Sequence, residues 1–104
     1  IEVNIGKEEN KDGVLPENAG RLADEISTLD NIKLAGLMTM APYLENAEET
    51  RPYFKEMKQI FDKVKQKHPS VKALSMGMSH SYKIAIEEGA NMVRLGTILF
   101  GERI

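Results

Sequence analysis

At 104 residues, with 41% hydrophobic and 29% charged side chains, the chain is long enough for one small globular unit. A formal net charge of −2 argues against general nucleic-acid binding, and the absence of cysteine removes disulfides and thiolate metal sites. No apolar run approaches the roughly 18–20 residues that span a bilayer, so a soluble, cytoplasmic protein without a membrane partner is the expectation.

Ile1, Val3 and Ile5 alternate with polar residues, the period of a strand. Gly6 to Gly13 is polar and closes on Asp12-Gly13, a common turn pair, so it reads as a loop. Pro16 suits the first turn of a helix, where its missing N–H would have no partner anyway. Ala19, Leu22, Ala23, Ile26 and Leu29 then recur at three- and four-residue steps and give that helix one apolar face. Asp30-Asn31 ends it. Ile32 to Met40 is short, mostly apolar and bounded by Pro42, as in a strand of a parallel sheet buried on both faces.

Asn46 suits an N-cap, with Glu48 and Glu49 placed favourably for the helix dipole. Tyr53, Phe54, Met57, Ile60, Phe61 and Val64 form the stripe of a long helix that closes on Lys63, Lys65 and Lys67 before Pro69. Val71 to Met76 is a further strand. Ser81 is placed to cap a helix from Tyr82 to Glu88, and Gly89 fits the left-handed position that closes it. Met92 to Leu95 is the last strand. The order β-α-β-α-β-α-β predicts an α/β fold of about four parallel strands with right-handed crossovers, either a small open sheet or half of a barrel. The start at Ile1 and the stop at Ile104 both read as cut ends.

Two strand ends could carry chemistry. In Leu74-Ser75-Met76-Gly77-Met78-Ser79 a strand runs into a helix start, where small residues let backbone approach a ligand and hydroxyl and N–H groups can hold an anion. The plainer reading is a turn that needs Gly77 for its conformation and Ser79 or Ser81 for capping. Val93-Arg94-Leu95-Gly96-Thr97 places Gly and Thr at the neighbouring strand end, the way barrels build a phosphate cup from their last two loops. Arg94 sits among buried strand residues and calls for a partner, either a ligand or a structural carboxylate. Lys7 and Lys11 lie in the first loop, which is otherwise an ordinary solvated stretch. His68 and His80 fall on different elements without a second ligand at metal spacing, so no metal is expected. Met38, Met40, Met76, Met78 and Met92 read as adaptable packing.

LSMGMS (Leu74 to Ser79), AIEEGA (Ala85 to Ala90) and MVRLGTILFGER (Met92 to Arg103) together resemble the pyridoxal phosphate homeostasis proteins, the YggS-like family. VNIGKEENKDGV (Val3 to Val14) and LAGLMTMAP (Leu34 to Pro42) extend the resemblance over nearly the whole chain. It implies the C-terminal half of a (β/α)8 TIM-type barrel related to the alanine racemase N-terminal barrel, residues 1–104 supplying strands five to eight. It also implies pyridoxal 5′-phosphate as cofactor and a non-catalytic role in keeping that cofactor's free level in balance. By position, Ser79, Gly96 and Thr97 would take the phosphate, with Gly77 in the same turn. Arg94 would sit at the pyridine nitrogen, and Lys11 would lie near the site.

Two departures stand out. Ser81 replaces an acidic residue usual in the family, beside an unusual His80. The family's Schiff-base lysine lies on its first barrel strand, to which nothing here corresponds, so no catalytic residue is assigned. The alternatives are a racemase of the same barrel type and an inert fragment. The expected partners are the small-molecule cofactor and either a missing N-terminal half of the barrel or a second copy of this chain.

Overall fold

The computed structural model describes residues 1–101; Glu102 and Arg103 of the final motif lie outside the described residues. In chain order the elements are β1 (Glu2–Val3), α1 (Ala19–Ser27), β2 (Gly36–Thr39), α2 (Arg51–Lys67), β3 (Ala73–Ser75), α3 (Tyr82–Glu87) and α4 (Thr97–Phe100). Short 3-10 turns at Pro16–Asn18 and Ala47–Thr50 lead into α1 and α2.

The long helix follows directly from its sequence. Asn46, in an extended conformation, accepts a hydrogen bond from the Glu48 N–H at 3.0 Å and so starts the turn that feeds α2. Phe54, Met57, Phe61 and Val64 are buried on one stripe, and Tyr53 and Ile60 flank it half-buried. Full burial of Phe54 alone is worth about 1.5–3 kcal/mol. Lys65 and Lys67 sit in the last turn, where the exposed carbonyl ends favour cations. On α1, Ala19 and Ala23 are buried while Leu29, expected on the apolar face, is half exposed just past the helix end.

All three strands are parallel in the order β1-β2-β3, with Val3 beside Thr39 and Leu37 beside Leu74. Val3, Leu37, Thr39 and Leu74 are buried in or against one core cluster shared with the helices. Alternate residues point the other way. On that second face Glu2 and Met38, which are in register, are only half-buried. Gly36 lies so close to β3 that a Cβ there would run into the Ala73 carbonyl, so β2 and β3 need a glycine at this crossing.

The sheet among the described residues has three strands, one fewer than the four expected. Met92 to Leu95 makes a single parallel bridge, Met92 with Ser75. The Asn91 side-chain oxygen accepts from the Leu74 N–H at 2.8 Å and its amide nitrogen donates to the Lys72 carbonyl at 2.7 Å. A side chain thus takes the first places on the edge of β3, and the Met92 backbone takes the next, its carbonyl accepting from the Met76 N–H at 3.1 Å. At the opposite edge Val14 returns to bridge Val3, the Asn4 N–H donating to the Val14 carbonyl at 2.8 Å.

A second correction concerns Ser81. It stands at the N-cap of α3, but its side chain makes no capping bond; the Ser81 Oγ accepts instead from the Met78 N–H at 3.3 Å. The hydroxyl folds back over the preceding turn, which leaves it unable to reach forward into the helix. Gly89 closes the helix as expected, at φ 111°, with the Ala90 N–H donating to the Ala85 carbonyl at 2.9 Å.

Two charge clusters tie the helices together. Arg51 at the start of α2 meets Glu48, and also Glu87 at 2.7 Å and Glu88 at 2.6 Å around the end of α3. Those hydrogen bonds, Glu48 first, push the Arg51 pKa up, and Arg51 in turn holds the Glu48 carboxyl below its ordinary range. Asp24 on α1 meets Lys67 and His68, each at 2.8 Å, at the far end of α2. No helix among the described residues is long and apolar enough to cross a membrane.

Candidate functional site

The C-terminal ends of parallel strands gather the loops after β1, β2 and β3 on one rim of the sheet, where α/β folds place their ligands. At the end of β3 the chain turns sharply at Gly77, with φ 100°. A Cβ on Gly77 would stand 2.6 Å from the Ala85 Cβ, so the turn is both left-handed and tightly packed against α3. The Gly77 carbonyl accepts from the Arg94 N–H at 3.0 Å, which brings the two sequence motifs side by side.

From that turn Ser79 reaches across to the final segment. Its Oγ accepts from the Gly96 N–H at 3.0 Å and from the Ile98 N–H at 3.2 Å. Two backbone donors therefore converge on one oxygen, and the hydroxyl keeps its own hydrogen to offer. Thr97 lies between those donors. It is exposed and lines a cleft of 310 Å³ together with Lys11, Met40, Tyr43, Met78 and His80.

Arg94 is half-buried, and its Nη2 donates to the Thr39 carbonyl at 2.7 Å. Its Nε is buried and has no hydrogen-bond partner among the described residues. A buried N–H of a permanent cation is costly to leave unpaired, so the site has capacity for an acceptor. Among the described residues no carboxylate meets Arg94, and its hydrogen-bond partner is the Thr39 carbonyl.

Of the six residues singled out by sequence, Ser79 and Gly96 are in direct contact, and Gly77 and Arg94 are bonded to each other. Lys11 and Thr97 share the cleft. Sequence reasoning did not reach the Ile98 N–H, the Thr39 carbonyl or the contacts of His80. The first two are main-chain atoms, which carry no residue-type signal. His80 donates through Nε2 to the carbonyls of Leu44 and Glu45, at 2.8 and 3.1 Å, and its ring lies 5.1 Å from that of Tyr43.

Parallel strands crossed over by helices, with glycine and hydroxyl residues meeting on one rim, define an α/β domain. The chain belongs to the alanine racemase N-terminal domain family, whose model matches residues 1–104. It is 52% identical over 104 residues to the pyridoxal phosphate homeostasis protein of Aquifex aeolicus, covering 99% of this chain and 46% of that one. The chain thus spans about half the length of such curated relatives. Among solved structures, a protein of unknown function from Bifidobacterium adolescentis superposes with a TM-score of 0.88 at 37% identity, over 95% of this chain and 41% of that one. PipY of Synechococcus elongatus with pyridoxal phosphate bound superposes with a TM-score of 0.75 at 30% identity, over 96% of this chain and 49% of PipY.

Proposed function

We propose that this chain is the C-terminal half of a (β/α)8 barrel, residues 1–104 supplying strands five to eight. We further propose that it grips pyridoxal 5′-phosphate by the phosphate, in the service of cofactor homeostasis and without catalytic turnover. The observation that carries the reading is the convergence of the Gly96 and Ile98 N–H groups on Ser79 Oγ. Names and bound ligands of the relatives support the choice of cofactor.

The residues present fit the group. Ser79, Gly96 and Thr97 would hold the phosphate oxygens. Gly77 gives the backbone room to turn, and Arg94, with its unpaired buried Nε, would face the ring. Lys11 would stand at the rim of the cleft. When bound, pyridoxal phosphate supplies an aldehyde conjugated to an electron-withdrawing ring. An arginine beside the ring nitrogen disfavours that nitrogen's protonation and so weakens the ring as an electron sink. The remaining half of the barrel, or a second copy of this chain, would complete the interior.

Equilibrium dialysis of the full chain tests the reading. Pyridoxal phosphate is retained, pyridoxal is held at least tenfold more weakly, and inorganic phosphate competes. Ser79→Ala weakens retention by roughly tenfold, the worth of a charge-assisted hydrogen bond. Equal affinity for pyridoxal and its phosphate would sink the proposal. Borohydride treatment leaves no pyridoxyl group on a lysine of this chain, and alanine incubated with chain and cofactor keeps its optical rotation; a labelled lysine or sustained racemisation would overturn those parts.

A further inference from the structure

We infer that His80 is a positioning residue for the Ser79 grip, bolting the loop that carries Ser79 to the loop that follows β2. The inference rests on the phosphate reading of Ser79 given above. His80 comes directly after Ser79, and its Nε2 faces the carbonyls of Leu44 at 2.8 Å and Glu45 at 3.1 Å. Carbonyl oxygens only accept, so Nε2 carries a hydrogen and shares it between the two. The imidazole also leans on the Tyr43 ring, centroids 5.1 Å apart at a 34° tilt, which fixes its plane as well as its edge.

Three consecutive residues are thereby tied in three directions. Ser79 is held by the final segment, His80 by the loop after β2, and Ser81 by the Met78 N–H. Core packing does not account for the arrangement. His80 is exposed and Tyr43 is 77% exposed, so neither ring fills the interior. An exposed loop anchored by Ser79 alone would let its hydroxyl swing, whereas an oxygen offered to a phosphate has to be aimed within about 0.5 Å. His80 supplies the second anchor, and Tyr43 its backing.

The experiment uses the full chain with pyridoxal phosphate, inorganic phosphate and pyridoxal as probes. His80→Ala is expected to weaken both phosphate-bearing probes by roughly tenfold, the scale of one or two lost hydrogen bonds. Pyridoxal binding and the melting temperature stay where they were. His80→Gln, which can offer an amide N–H to the same carbonyls, restores most of the affinity. An unchanged phosphate affinity, an equal loss for pyridoxal, or a folded Gln variant no better than Ala would each overturn the inference. Should His80→Ala fail to fold, nitrogen NMR of the parent chain decides. An Nε2–H tautomer whose signals shift on phosphate titration supports the latch, and an Nδ1–H tautomer removes it. A parent chain that takes up neither pyridoxal phosphate nor phosphate sinks the earlier reading itself, a result distinct from any failure of the variants.

Discussion

Gly77 holds φ 100° where the chain leaves β3, with the Ala85 Cβ pressed against the place a side chain would occupy. Both the conformation and the contact oppose any larger residue. Gly77→Ala is therefore expected to cost about 1–3 kcal/mol of stability and to displace Ser79 from Gly96. A thermal melt and a phosphate titration check the two halves, and a melt matching the parent's would refute the steric account. Glycine, serine and threonine at strand ends were legible in the sequence because small size and hydroxyl chemistry are properties of the residue itself. The atoms that answer them were not. The Ile98 N–H, the Thr39 carbonyl and the Leu44 and Glu45 carbonyls belong to the backbone and could sit beneath any side chain. Asn91 is silent in the sequence for a related reason: an amide side chain that bonds a strand edge has no pattern of its own.

Helices were the more readable elements, since α2 shows its buried stripe at regular three- and four-residue steps. Strands came out shorter than the apolar runs that announced them. Val71 to Met76 yields only Ala73–Ser75, because apolar character records burial while a ladder also needs a neighbour's backbone. Between elements, Lys67 first and His68 second hold the Asp24 carboxyl below its ordinary range. A carboxyl depressed in the folded chain stabilises above its unfolded pKa of about 4, and that contribution fades as the pH falls through the lower folded value. Asp24→Asn should accordingly melt below the parent near neutral pH and converge with it in acid, by a small margin because the pair is solvent-facing. Melting curves collected across that range would rule out the tie between α1 and α2 if the gap stayed constant.

For the molecule as a whole, helices back one face of the sheet while Glu2 and Met38 on the other stay partly open. Ile98, Leu99 and Phe100 are 51%, 64% and 84% exposed. Apolar surface of this kind favours association. Sedimentation of the purified chain at micromolar concentration is expected to give dimers or larger species, and a stable monomer would contradict this. The family was legible from the sequence because LSMGMS, AIEEGA and MVRLGTILFGER resemble its motifs in the same order. The number of strands was not, since it turned on where β3 ends and the chain bends at Gly77.

Asn91 ties the final segment to β3 by an amide. Asn91 meets an N–H with its oxygen and a carbonyl with its nitrogen, so the contact depends on the difference between two atoms of nearly equal size. Deamidation would replace the nitrogen with a second oxygen, set it against the Lys72 carbonyl, and turn an attraction into a repulsion. The same segment carries Arg94 and Gly96 a few residues on. Slow hydrolysis of a single amide, with no change in the size of the residue, would loosen that segment from β3, so chemical ageing at Asn91 would be felt at the phosphate grip.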